Sequence, residues 1–195
     1  MAQVLRRLIM APKKLPVARM GHPILAQKAE PVNLSDLDKI RGIVADMQFT
    51  LESIGERIGL AAPQVHIPLR VVIFNVPKMA PNPRYDFDSE EVPFTAMINP
   101  EITFLTDKQT LGWEGCISVP GMLGEVPRYE SIRYTFYDQM GVQHERVAHG
   151  FHARVVQHEC DHLDGILFPM RMIDMSRFGF EKEMIEFVKN KTAEV

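Results

Sequence analysis

The stretch VVQHECDHLDGILF, residues 155–168, most narrows what this chain can become, because its two histidines stand four apart with a glutamate directly after the first. On an α-helix four residues turn through about 400°, so His158 and His162 project from nearly the same face, one turn apart. Two imidazoles so placed can share one ion. Glu159 lies about 100° round from His158, which sets its carboxylate beside such an ion rather than on it, where a general base acts on water. Val155, Val156, His158, Glu159, His162 and Leu163 fall mainly on one side of this helix, and Gly165 is placed to cap its C-terminus. The competing reading is a buried helix with two hydrogen-bonded histidines.

A third protein donor decides the chemistry. In the protease pattern HExxHxxGxxH the last histidine would fall at Phe168, so that ligand is absent. Glu181, Glu183 and Glu186 follow on a later helix and remain candidates. Cys160 is two residues from each histidine, points about 200° away from both, and reads as core filler. His149 and His152 also miss the ligand face. Cys116 sits in GWEGCISVPG, residues 112–121, a segment bracketed by glycines and a proline that can bring a thiolate close to a helix. Two neutral imidazoles and one thiolate leave a fourth position open, as catalytic sites do. A lone cysteine is otherwise a small buried residue, so Cys116 and the downstream glutamates both stay open at this point.

The rest of the chain supplies a scaffold. At 195 residues, 46% hydrophobic and 24% charged, it has the balance of a single globular domain spanning 1–195. A net charge of −3 gives no global attraction to nucleic acid or to an anionic membrane, so neither is expected as a partner. Two cysteines make no disulfide framework and point to a reducing compartment. The absence of a membrane-length apolar run or a secretory leader fits a cytoplasmic location. The first 29 residues carry Arg6, Arg7, Lys13, Lys14 and Arg19 without an acid, a faint likeness to an organellar transit peptide.

Periodicity predicts an amphipathic helix through Leu37, Ile40, Val44, Met47, Leu51 and Ile54, capped by Ser35. Residues 69–76 read as a buried strand, 78–93 as a Pro-rich acidic loop, and 95–106 as two short strands about an Asn99-Pro100 turn. Residues 131–149 read as a hairpin turning at Asp138 to Gly141, and 178–191 as a closing amphipathic helix. The expected fold is α+β, with antiparallel sheets packed around a central helix that carries HExxH, flanked by N-terminal and C-terminal helices.

With RIGLAAPQV (57–65), EGCISVP (114–120) and QHECDH (157–162), the chain resembles the three signature motifs of the peptide deformylases, in family order. RMGHPIL near the start extends the likeness to roughly residues 17–170. The resemblance implies a mononuclear metal hydrolase that removes the formyl group from N-formylmethionine on nascent polypeptides, with a transient ribosome contact. It makes Cys116, His158 and His162 the ligands of one divalent ion, Fe²⁺ by preference, with Ni²⁺, Co²⁺ or Zn²⁺ able to replace it. Glu159 becomes the acid/base, and the Ile117 backbone N–H and the Gln64 side-chain amide become donors to the formyl oxygen. Peptide would pair like a strand with backbone at Ile58 and Gly115, and methionine would lie against Ile58, Phe151 and Val155. Gly59, Ala61 and Ala62 leave room for a close backbone approach. Amide hydrolysis calls for these types, since charge develops on the carbonyl oxygen and a proton must reach the leaving amine.

Three positions depart from the pattern: Arg57 stands where the family usually has glycine, Leu123 where many bacterial members have arginine, and Arg154 has no assigned partner. Glu114 and Arg128 match a structural ion pair. The rival functions are a zinc endopeptidase with Glu181 or Glu183 as third ligand, and a non-catalytic peptide-binding relative.

Overall fold

The computed structural model describes residues 11–55, 57–78 and 89–192, with side chains to residue 189. Most of the acidic loop expected at 78–93 lies outside the described residues. Among the described residues there are three α-helices and eight strands, the strands forming two antiparallel sheets. The first helix, α1 (Leu37–Ile54), buries Ile40, Val44, Met47 and Leu51 at the spacing the sequence predicts. Its start differs from expectation. Asn33, not Ser35, does the capping: its side chain accepts the Ser35 N–H at 3.0 Å and closes a 3-10 turn ahead of the helix.

Strands β1 (Gly59–Ala61), β2 (Val71–Val76), β3 (Val92–Phe104), β6 (Ser131–Tyr137) and β7 (Gln143–His149) make a five-stranded sheet in the order β1-β2-β3-β6-β7. Both faces of its β1–β3 end are covered. Val71 and Ile73 pack with α1, whereas Val72, Phe74 and Val76 face the opposite layer, which explains the apolar run Val71–Phe74 of β2. The Asn99-Pro100 site does not reverse the chain, and β3 runs through it. Asn99 takes φ 52° and shifts the register to β6 as a bulge, while its amide exchanges hydrogen bonds with Val32 at 2.8 and 2.9 Å. The β6–β7 hairpin turns where expected, with Asp138 N–H bonded to Val142 C=O at 2.9 Å.

A second sheet joins β4 (Gln109–Cys116), β5 (Val119–Tyr129) and β8 (Phe178–Phe180) in that order. Residues 178–180 were expected to open the last helix. They pair instead with Met122–Gly124 of β5, and α3 (Glu181–Thr192) follows.

Between the sheets runs α2 (Gly150–Leu163), which carries both histidines. It is buried nearly all round, from Phe151 to Leu163, rather than on one side. Its position accounts for this: Phe151, Val155, Val156, Cys160 and Leu163 meet the five-stranded sheet, while the other side packs on β5 and hydrogen-bonds to β4 through Arg154 and His158. Gly165 ends the helix at φ 72°, and a Cβ there would lie 2.8 Å from the Ala26 carbonyl carbon. Conformation and space both require glycine.

Candidate metal centre and active-site cleft

The spacing of His158 and His162 works as its helical angle requires: both rings reach one side of α2, 5.1 Å apart by centroid. Cys116 comes to them at the end of β4. The register of β4 against β5 shifts between Glu114 and Cys116, and the resulting irregularity turns the chain end toward the helix. The ligand atoms of Cys116, His158 and His162 lie within 4.8 Å of one another, and Cys116 Sγ is 3.4 Å from His162 Nε2. Among the described residues this is the one such cluster of three or more His, Cys, Asp or Glu side chains. Glu181, Glu183 and Glu186 of α3 are not part of it, so the endopeptidase ligand set is not assembled.

The donor set fits a divalent cation. A hydrogen bond of 2.8 Å between His158 Nδ1 and Glu114 Oε2 fixes the ring and leaves Nε2 for an ion, the usual arrangement behind a metal-binding histidine. Burial disfavours charge on His158, but hydrogen bonds to Cys116 and Glu114 outweigh it and hold its pKa well above the usual value. Burial, and then repulsion from His158, holds His162 well below. His158 is thus the imidazole of the pair whose surroundings favour a positive charge, and His162 the one kept neutral.

Glu114 is the hub behind this centre. Burial opposes its charge, yet Arg128 and His158 overcome that and hold its carboxyl well below the usual range. Arg128 meets it with two bonds of 2.9 and 3.0 Å, the ion pair expected from the sequence. Arg154, undecided in sequence, also binds it at 2.8 Å and donates to the carbonyls of Thr110 at 2.7 Å and Val126 at 2.9 Å. Its guanidinium occupies the space that any side chain at Gly112 would need, and a Cβ there would lie 2.8 Å from Arg154 Cζ. Asp161, which sequence reasoning passed over, extends the network by bonds to Arg128 at 2.5 Å and to Arg171 at 2.7 Å.

A cleft of about 620 Å³ opens on the centre, lined by Arg57, Ile58, Gly59, Gln64, Gly115, Cys116, Ile117, Phe151, Val155, His158 and Glu159, with Arg154 and Trp113 among its other walls. Of the residues the family resemblance assigned to catalysis, substrate or metal, all border this cleft except His162, 1% exposed behind it, and Ala61 and Ala62, which are fully buried, so that only Gly59 of the three small residues offers the close backbone approach. Glu159 is buried, with Oε2 lacking a hydrogen-bond partner. Burial is the chief reason its pKa rises to about 7, the attraction of His158 only partly opposing it. Gln64 is held with its carbonyl toward Ala61 N–H at 2.9 Å, so its amide NH₂ faces Cys116 Sγ at 3.2 Å and Ser118 Oγ at 3.1 Å. Ser118, fully buried, has no periodicity to mark it in sequence, and only its place beside Cys116 points to it.

Two sheet edges meet at the cleft. β1 and β4 are each the first strand of their sheet, with no strand on their outer side among the described residues. Ile58 C=O accepts from Asn75 N–H at 2.9 Å, so by alternation the N–H and C=O that face the open edge are those of Gly59, and not those of Ile58, where the sequence reading put the strand pairing.

An α+β scaffold with a Cys-His-His cluster, an adjoining buried carboxyl and open strand edges defines a metallohydrolase of peptide substrates. Residues 14–178 match the polypeptide deformylase family. Peptide deformylase 1 of Nitrosomonas europaea is 49% identical over 165 residues, 85% of this chain and 91% of that protein. Peptide deformylase 2 of Ralstonia nicotianae is 50% identical over 165 residues, 85% and 90% of the two chains. A solved class I type b peptide deformylase from Acinetobacter baumannii superposes with a TM-score of 0.74 at 40% identity, covering 82% of this chain and 99% of that one. The chain belongs to the polypeptide deformylase family, and its activity is removal of the formyl group from N-formylmethionine by hydrolysis. No helix among the described residues is long and apolar enough to cross a membrane.

Proposed function

We propose that Cys116, His158 and His162 hold one divalent cation, Fe²⁺, and that the residues around it deformylate nascent N-formylmethionyl polypeptides. When bound, the cation supplies Lewis acidity toward the formyl carbonyl and an activated water. Glu159 takes the proton of the attacking water and returns it to the departing amine nitrogen, for which a carboxyl titrating near neutrality is suited. The Gln64 amide and the Ile117 N–H donate to the formyl oxygen as charge grows there. Ile58, Phe151 and Val155 enclose the methionine side chain, while the edges at Gly59 and Gly115 pair with the peptide backbone. One related structure, the Acinetobacter baumannii enzyme, is bound to Met-Ala-Ser, a peptide of the kind this cleft would hold. Action on nascent chains brings the protein transiently to the ribosome, in a cytoplasmic setting.

The observation that carries the reading is the Cys116–His158–His162 cluster opening onto a cleft whose adjacent carboxyl, Glu159, is buried and partly unpartnered. The experiment loads metal-free protein anaerobically with Fe²⁺, Ni²⁺, Co²⁺ or Zn²⁺, follows formate release from formyl-Met peptides, and then admits air. Iron should give the highest rate and lose it in air, since oxygen attacks both the ion and the thiolate beside it. Equal activity with zinc overturns the iron assignment, and Cys116→Ser that still binds one equivalent of metal overturns the ligand set.

A further inference from the structure

We propose that Arg57 makes this enzyme selective for an acidic side chain at the residue directly after the formylated methionine, an inference that rests on the deformylase reading above. Arg57 is exposed and lines the cleft beside Ile58 and Gly59. Among the described residues its charge is not already spent. Arg154, the other arginine of the cleft, is 3% exposed and committed to Glu114 at 2.8 Å, whereas no acid among the described residues pairs with Arg57.

The direction of the substrate follows from burial. A peptide whose formyl end lies at Glu159 begins beside Gly59, because the space where a Gly59 side chain would sit is filled by the Glu159 carboxyl, 2.4 Å from Oε1. Leu60, Ala61 and Ala62 beyond it are fully buried, so the peptide cannot run inward along β1. It must run outward, past Ile58 and then Arg57, antiparallel to the chain of β1. Directly opposed residues of an antiparallel pair place their side chains on the same face, about 5 Å apart. With the formyl group at Gly59, methionine stands opposite Ile58 and the second residue opposite Arg57. The N-terminus of the substrate is a neutral formamide, so side-chain charge is what Arg57 meets there.

The test uses metal-loaded enzyme and three C-terminally amidated peptides, formyl-Met-Asp-Ser, formyl-Met-Ala-Ser and formyl-Met-Lys-Ser. The expected order of kcat/KM is Asp above Ala above Lys, with Asp over Lys by about three- to tenfold, carried by KM, as attraction and repulsion across an exposed pair allow. The ratio should shrink toward one in about 0.5 M salt. Arg57→Lys should keep the order and Arg57→Glu should invert it. Calorimetric binding of unformylated Met-Asp-Ser and Met-Lys-Ser amides is measured alongside. If no peptide releases formate the deformylase reading fails, while the binding ratio still judges the charge preference. Equal affinity for the Asp and Lys peptides, or an order that survives Arg57→Glu, overturns the role of Arg57.

Discussion

The α-carbon of Gly59 lies directly against the carboxyl of Glu159, so close that a Cβ on Gly59 would stand 2.4 Å from Oε1 and 2.7 Å from the carboxyl carbon. The edge of β1 and the acid/base proposed on α2 thus share one volume. Gly59→Ala should therefore push the carboxyl off its position while leaving the Cys-His-His cluster intact. Catalysis is sensitive to displacements of about 1 Å, so kcat should fall by about a hundredfold or more, with one equivalent of metal still bound. Formate release and metal content measured on the same sample decide it: a fully active variant would show that the carboxyl has room to spare.

Glu159→Gln should separate activity from stability. Turnover should be nearly lost, because the amide cannot accept the water proton, whereas metal binding should remain. In the metal-free protein the folded carboxyl titrates at about 7 against a reference of 4.5, so the folded state holds its proton more tightly than the unfolded state. Stability from this group is complete below about pH 4.5 and falls as pH rises toward 7, then stays level. The glutamine carries no such penalty, so the metal-free variant should be more stable than the parent by ~1–3 kcal/mol at pH 8 and converge with it near pH 4.5. Urea unfolding at both pH values reads the difference, and a variant less stable at pH 8 would contradict the burial argument.

What the sequence displayed and what it hid divide along local and non-local lines. His158, Glu159 and His162 were legible because four residues on a helix fix their mutual angle without any tertiary information. Cys116 was legible only as a candidate, since nothing in spacing connects it to α2 across the intervening strands; its glycine- and proline-bracketed segment raised it, and the three motifs together chose it over the downstream glutamates. The central place of α2 was expected, but its burial on all sides was not, because a helix between two sheets loses the amphipathic stripe that sequence reading relies on. Asn99-Pro100 looked like a turn from composition, and the Asn99 amide instead spans to Val32 and keeps β3 continuous. Residues 178–180 carry an apolar pattern compatible with either element, and the free edge of β5 takes them as a strand. Leu123, at 2% exposure, packs with Trp113 and Met184 rather than facing the cleft, so it cannot do the work of a peptide-contacting arginine.

Gln64→Leu tests the oxyanion donor. The present amide is fixed by Ala61 N–H and Ser118 Oγ, so its NH₂ is aimed before substrate arrives. Removing it should lower kcat by about a hundred- to a thousandfold with little change in peptide affinity. Ser118→Ala, which frees the amide without deleting it, should give a smaller loss in kcat. If Gln64→Leu raises KM and spares kcat, the residue positions substrate rather than stabilising charge.

Arg154→Met should expose how much the centre depends on its buried charges. The guanidinium binds Glu114 at 2.8 Å and the carbonyls of Thr110 and Val126, tying α2 to β4 and β5. Methionine fills comparable space but leaves those acceptors unpaired in a buried site, and Glu114 keeps only Arg128 and His158 to balance it. Loss of one partner from a buried ionic cluster, softened by the arginine that remains, should cost ~2–4 kcal/mol. Because Glu114 also orients His158, metal affinity should weaken by about ten- to a hundredfold, the usual consequence of disturbing the hydrogen bond behind a ligating histidine. Arg154→Lys should recover part of the stability but not the full affinity, since one ammonium cannot reach the separate acceptors that the forked guanidinium spans. Denaturant unfolding and competition with a metal chelator measure the two effects separately. A Met variant that loses stability while holding metal as tightly as the parent would mean that Arg154 braces the sheet without acting on His158.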